Sequence, residues 1–118
     1  MMTLPVAHRD AFVWGRNQKG QLGLGYESRN SKYPTKLNID NVTWTQIACG
    51  YSHTVALSTK GEVFTWGSGF DGQIGRGDGM DRNVPTKVEG LSGEVVAKVA
   101  CGDCHTAALT AGGKVFTW

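Results

Sequence analysis

Apolar residues in this chain come in short runs closed off by glycine or polar turn residues. TQIAC (Thr45 to Cys49), HTVALS (His53 to Ser58) and EVFTW (Glu62 to Trp66) follow one another with only a few residues between them. Short runs bounded by turn residues predict β-strands, and no segment carries a helical period of useful length. Ser58-Thr59-Lys60-Gly61 separates the last two runs, and its glycine suits the positive φ of a tight hairpin. A weaker strand candidate, Thr35 to Asn38, brings the count to four. The pattern predicts an all-β chain.

The pattern then recurs. Trp14, Trp66 and Trp118 are spaced 52 residues apart. FVWGRNQKGQLGLG, from Phe12 to Gly25, returns as FTWGSGFDGQIGRG, from Phe64 to Gly77, with the glycines at 15, 20, 23 and 25 matched at 67, 72, 75 and 77. IACGYSHTVAL (Ile47 to Leu57) maps onto VACGDCHTAAL (Val99 to Leu109), and Gly61 onto Gly113. Pro34-Thr35-Lys36 returns as Pro85-Thr86-Lys87 at an offset of 51, so the loop that follows gains one residue, as repeat arrays tolerate. Four short strands in about fifty residues describe a propeller blade, because one small twisted sheet buries its faces only against neighbouring sheets. The expected organisation is a lead-in at 1–11, a first repeat at 12–63, a second at 64–115 and the start of a third at 116–118.

WG-x-N-x-x-GQLGLG followed by CG-x-x-HT-x-AL-x-x-x-G-x-V-x-x-W resembles the regulator of chromosome condensation repeat, over essentially all of Phe12 to Trp118. The resemblance implies a seven-bladed β-propeller, of which about two four-stranded blades are present here. Two periods and a fraction cannot close such a ring, so the chain is expected to be a piece of a longer array, with uncovered blade faces that promote self-association or partial unfolding. At the repeat positions Trp14, Trp66, Trp118, His53, His105, Gly15 and Gly67, the expected roles are structural. The three tryptophans should pack between blades and the two histidines should be buried and hydrogen-bonded in their turns.

Composition narrows the function. With 40% hydrophobic and 19% charged residues the chain is globular in character, and 17 glycines against three prolines match a turn-rich fold. Twelve Lys and Arg against ten Asp and Glu leave a net charge of +2, with no basic run. Charge alone therefore supports neither nucleic acid or chromatin nor an anionic membrane as partner. Residues 1–11 hold no apolar export segment, and nothing approaches the ~20 apolar residues of a spanning helix; the expected location is cytoplasmic or nuclear.

Three motifs invite chemistry, and the repeat answers each. Cys101-Gly102-Asp103-Cys104-His105 spells the attachment signature of c-type haem, but Cys101 and His105 recur as Cys49 and His53 while Cys104 aligns with Ser52, so the second thiol is the odd residue. Zinc held by Cys49, His53, Cys101 and His105 would need ligands a blade apart to converge. Gly67-Ser68-Gly69-Phe70-Asp71-Gly72 spells Gly-x-Gly-x-x-Gly after a strand, yet no helix follows to meet a phosphate. Arg76-Gly77-Asp78 and Asn41-Val42-Thr43 matter only outside the cell. No cofactor, metal or small-molecule substrate is expected, and a haem electron carrier is rejected.

Function should reside where the copies differ. After Cys-Gly come Tyr51-Ser52 in one copy and Asp103-Cys104 in the other, at turns that should reach one rim. Tyr51 and Asp103 are the partner-binding candidates, expected to be exposed on the same face of adjacent blades. The chain reads as a non-enzymatic scaffold that binds a protein. The alternative is a guanine-nucleotide exchange factor for a Ran-like small GTPase: in the family's nuclear exchange factor the stretch equivalent to GDCHTAAL also carries an Asp that faces the GTPase. Ultraviolet reception, known in the family with Trp in the Gly-x-x-His-Thr turn, is disfavoured by Tyr51 and Asp103 in that place.

Overall fold

A computed structural model describes residues 10–37 and 39–118. Among the described residues nine strands follow one another: β1 (Ala11–Arg16), β2 (Asn30–Leu37), β3 (Trp44–Cys49), β4 (His53–Ser58), β5 (Val63–Gly67), β6 (Arg82–Lys87), β7 (Val96–Cys101), β8 (Thr106–Thr110) and β9 (Val115–Thr117). A single 3-10 turn at Glu89–Leu91 is the helical content of the described residues. Asn38, the last residue of the weakest strand candidate, lies outside the described residues; Thr35 to Leu37 fall within β2.

All pairings are antiparallel and run in chain order, giving sheets β1-β2, β3-β4-β5-β6 and β7-β8-β9. The four-stranded sheet draws two strands from each sequence period. Its β4–β5 hairpin closes where expected: Gly61 has φ 78° and donates to the Ser58 carbonyl at 3.0 Å, and Gly113 repeats this with φ 90° and a 3.1 Å bond to Thr110. Gly15 and Gly67 earn their places differently. Each stands at a shift of register, in β1–β2 and β5–β6, with φ of 107° and 101°, the positive φ of a glycine bulge that re-aims the strand into its loop.

Sheet stacking forms the core. Ala11, Leu37, Trp44, Ala56 and Trp66 join the first sheet to the second, with Phe64 edge-on to Trp44 at 5.2 Å. Val55, Leu57, Val63, Val88, Val96 and Val99 are among those joining the second to the third. Burial of each such side chain stabilises the stack by about 1.5–3 kcal/mol. Because sheets cover both its faces, β4 is buried at every position, whereas β1 and β3 alternate.

The same stacking corrects the expected burial of the repeat positions. His53 is 1% exposed and Trp66 0%, but Trp14 is 60% exposed, His105 is exposed and Trp118 is half-buried. Trp66 seats on Gly23 of the preceding repeat, where a Cβ would stand 2.7 Å from its Nε1, and Trp118 seats on Gly75 in the same way, at 2.9 Å. No described residue lies over Trp14 or His105 in the corresponding manner. Burial here belongs to a neighbour's face, and among the described residues the equivalent positions on the outermost sheets have no such neighbour.

Candidate protein-binding rim

The start of β4 pairs with the end of β5, His53 opposite Gly67. This places the β3–β4 turn on the same edge of its sheet as the Gly-rich loop after β5, and β7–β8 follows suit one sheet on. The shared edge is the rim, and its turns are pinned by histidine. In each Cys-Gly-x-x-His turn the glycine N–H donates to the histidine carbonyl, at 2.8 Å for Gly50 to His53 and 3.0 Å for Gly102 to His105. The imidazole folds back over that glycine, leaving no room for a Cβ.

The His53 ring then crosses to the next sheet, where Nε2 meets the His105 carbonyl at 3.2 Å and Thr106 Oγ1 at 3.0 Å. Thr106 Oγ1 donates to the Gln73 carbonyl at 2.6 Å, so it accepts from His53, which fixes the Nε2–H tautomer. Nδ1 is left buried without a partner. Desolvation lowers the His53 pKa from its ordinary value, outweighing the opposing hydrogen bond to His105. The histidine is a neutral structural pin.

Tyr51 and Asp103 stand side by side on this frame. Tyr51 is 67% exposed, Asp103 is exposed, and the Tyr51 N–H donates to the Asp103 carbonyl at 3.0 Å. The Arg16 guanidinium lies 6.0 Å from the centroid of the Tyr51 ring and donates to its hydroxyl at 3.5 Å. Gly-rich loops flank the pair. In the first loop Asn17 is fully buried; its amide donates to the Tyr26 carbonyl and Ser28 Oγ at 2.9 and 3.0 Å and accepts from Leu22 N–H. In the second, Gly69 replaces Asn17, and its N–H instead donates to Asp81 Oδ1 at 3.0 Å. The Gly-x-Gly-x-x-Gly string is thus a carboxylate-closed loop.

That second loop holds residues the sequence reading missed. Phe70 is 83% exposed, and Met80 is exposed beside it, with Lys19, Asp71 and Asp81 around a shallow cleft. Arg16, Phe70 and Met80 align with Ser68, Gln18 and Ser28; the signal was divergence between copies, the criterion that selected Tyr51 and Asp103.

The cysteines are free, with no disulfide among them. Desolvation, chiefly, raises the Cys101 thiol to about 11; desolvation and then Asp71 raise Cys104. Protonated thiols are poor nucleophiles and metal ligands. Among the described residues no group of three His, Cys, Asp or Glu stands close enough to hold a metal ion, and no helix is long and apolar enough to cross a membrane.

Known proteins carry the same repeat and the same fold. The regulator of chromosome condensation (RCC1) repeat matches residues 10–57 and 60–109. The human probable E3 ubiquitin-protein ligase HERC3 is 42% identical over 108 residues, covering 91% of this chain and 10% of its own length. The ultraviolet-B receptor UVR8 of Arabidopsis thaliana is 40% identical over 106 residues, covering 89% of this chain and 24% of its own. Human WBSCR16 superimposes with a TM-score of 0.81 at 32% identity, and yeast RCC1 (Prp20) bound to Kap60 with 0.79 at 26%, each over 92% of this chain and 28% of theirs. The chain thus spans about a tenth to a quarter of the curated relatives named and 28% of these solved chains. With two repeats matched end to end and sheets that superimpose on solved propellers, the chain belongs to the regulator of chromosome condensation (RCC1) repeat family.

Proposed function

We propose that the chain is a non-enzymatic propeller segment that binds a protein partner through the rim around Tyr51 and Asp103. One observation carries this reading: an exposed aromatic and an exposed carboxylate are tied together by a backbone hydrogen bond across two sheets. An aromatic held on a rigid frame supplies contact area at low entropic cost, and a carboxylate supplies orientation. Phe70 and Met80 extend the apolar area, and Asp71 and Asp81 favour a partner segment that is basic and amphipathic. Protein partners have precedent in the family, since yeast RCC1 has been solved with Kap60 and Prp20p is described with its binding properties to Gsp1p and histones. Such partners suit a chain working in the cytoplasm or nucleus.

A second reading is guanine-nucleotide exchange on a Ran-like GTPase, favoured by Asp103 in GDCHTAAL. Its mechanism is differential binding: a rim that prefers the nucleotide-free GTPase lowers nucleotide affinity by the same coupling energy. Titration of the chain with a nucleotide-free Ran-like GTPase and with basic amphipathic peptides, paired with a nucleotide-release assay, tests both. Rim binding predicts that Asp103→Ala weakens the complex by about 1–3 kcal/mol with the fold intact. Unchanged affinity removes this turn from the site, and binding without accelerated release removes exchange.

A further inference from the structure

Charge is ordered along the rim across three consecutive sheets. Lys19 stands in the loop between β1 and β2, Phe70 and Met80 in the loop between β5 and β6, and Asp103 in the turn between β7 and β8. Lys19 borders the shallow cleft of about 520 Å³ that Phe70 and Met80 line, and Asp71 lines it too. Asp71 also leads on to the next turn, where desolvation, then Asp71 and then Asp103 raise the pKa of the Cys104 thiol. Lys19, Asp71 and Asp103 make no ion pair among the described residues, whereas Asp78 is paired with Arg82 at 2.6 Å. Across the rim the order is cation, apolar pair, carboxylates.

The apolar pair is held in place by its loop. Met80 N–H donates to Asp78 Oδ1 at 3.0 Å, and the Arg82 guanidinium donates to the Met80 and Asp81 carbonyls at 3.4 and 3.1 Å. The Met80 carbonyl lies against Gly69, leaving no room for a Cβ, and next to Phe70 the Asp71 N–H donates to Oε1 of the buried Gln73 at 2.8 Å. From this pinned backbone Phe70 and Met80 project 83% and 62% exposed. In the first loop Gln18 and Ser28 stand in their places, so the repeat itself does not call for apolar side chains there. These exposures belong to the repeat, because Gln18, Lys19 and Tyr51, the equivalents of Phe70, Asp71 and Asp103, are exposed with the following sheet and loop in place beside them.

We infer that this strip takes an extended partner segment of complementary charge order, with an acidic residue over Lys19, an apolar side chain between Phe70 and Met80, and a basic residue over Asp71 and Asp103. The inference rests on the protein-binding reading of the rim and adds a polarity to it. Large apolar groups on a preorganised backbone anchor a partner at low entropic cost, and the thioether beside the ring adapts to aliphatic or aromatic anchors. Opposite charges at the two ends then decide which way the segment lies, since the reversed direction sets like charges against each other. A segment that is basic at both ends meets Lys19 with the wrong sign.

Fluorescence anisotropy of the full chain with labelled peptides of one length tests the order. A central apolar pair is flanked by Glu on one side and Arg on the other, by Arg on both sides, or by Glu on both. The mixed peptide should bind at least about threefold tighter than either of the others, with an advantage that shrinks between about 50 mM and about 500 mM salt. Lys19→Glu, at an exposed position, should transfer the preference to the Arg-flanked peptide, and Phe70→Ser should weaken the mixed peptide at least about tenfold without altering the far-ultraviolet spectrum. An Arg-flanked peptide that binds the unmodified chain as tightly as the mixed one, or a ranking that Lys19→Glu leaves unchanged, overturns the charge order; the rim reading survives that result if Asp103→Ala still weakens the bound peptide, and fails with it if Asp103→Ala does not. Absence of binding by any peptide, full-strength binding to Phe70→Ser, or displacement of the mixed peptide by an anionic oligonucleotide or by a second copy of the chain also overturns the inference.

Discussion

His53 and His105 occupy equivalent turns and fold over equivalent glycines, Gly50 and Gly102, but among the described residues a sheet lies against one and not the other. His53 is buried, bridges to the next turn and has a lowered pKa; His105 is exposed. Trp66 and Trp14 repeat the contrast, one enclosed between sheets and one open. In a repeat fold the energetic role of a residue is a property of the interface between units, since each unit contacts only its neighbours. Identical motif positions carry unequal shares of stability.

The largest test of this contrast is the tryptophan pair. Trp66→Ala should destabilise the fold by about 3–5 kcal/mol, the range for deleting a large buried aromatic, which is enough to unfold a marginal domain. Trp14→Ala should shift the denaturation midpoint little at dilute concentrations. Equal effects in chemical denaturation would mean that the interfaces do not set the stability.

Next comes the histidine pair. His53→Ala leaves Thr106 and the His105 carbonyl without their donor and should cost about 1–3 kcal/mol, whereas His105→Ala should change stability by less than about 0.5 kcal/mol. Acid should mimic the first change. Because the folded protein holds His53 below its ordinary value of 6.5, the unfolded chain takes up the proton first as pH falls. Stability is then full above pH 6.5 and declines below it, towards the lowered pKa of the fold. In His53→Gln, that portion of the pH dependence should vanish; its persistence in a denaturation series from about pH 7.5 to about pH 5 would assign it to another group.

The smallest effect is expected at the odd thiol. Cys104 is exposed and aligns with Ser52, so Cys104→Ser should leave the melting temperature and rim binding unchanged. A loss of either would give this cysteine a role that its surroundings do not suggest.

Most of the fold was legible because its local signals agree. Short apolar-rich runs, Gly61 and Gly113 at the hairpins, and the 52-residue spacing of tryptophan each specify a strand, a turn or a blade through nearest-neighbour backbone chemistry. The rim was legible in part: comparison of the two copies found Tyr51 and Asp103, but Phe70 and Met80 escaped because they differ within a loop whose path the sequence leaves open, and Arg16, at the end of β1, because its approach to Tyr51 is a contact between elements 35 residues apart.

What the sequence determined by itself is the unit: strand order, turn geometry and the positions that must be glycine, all set by φ preferences and by patterning within one period. What only the tertiary structure decided is which copy of each residue is buried. His53 became a neutral pin and His105 an exposed ring, Trp66 a core residue and Trp14 a surface one, although the flanking sequences are nearly the same. Burial, desolvation and hydrogen-bond satisfaction depend on the sheet stacked against a residue, and in a repeat array that sheet comes from the neighbouring unit.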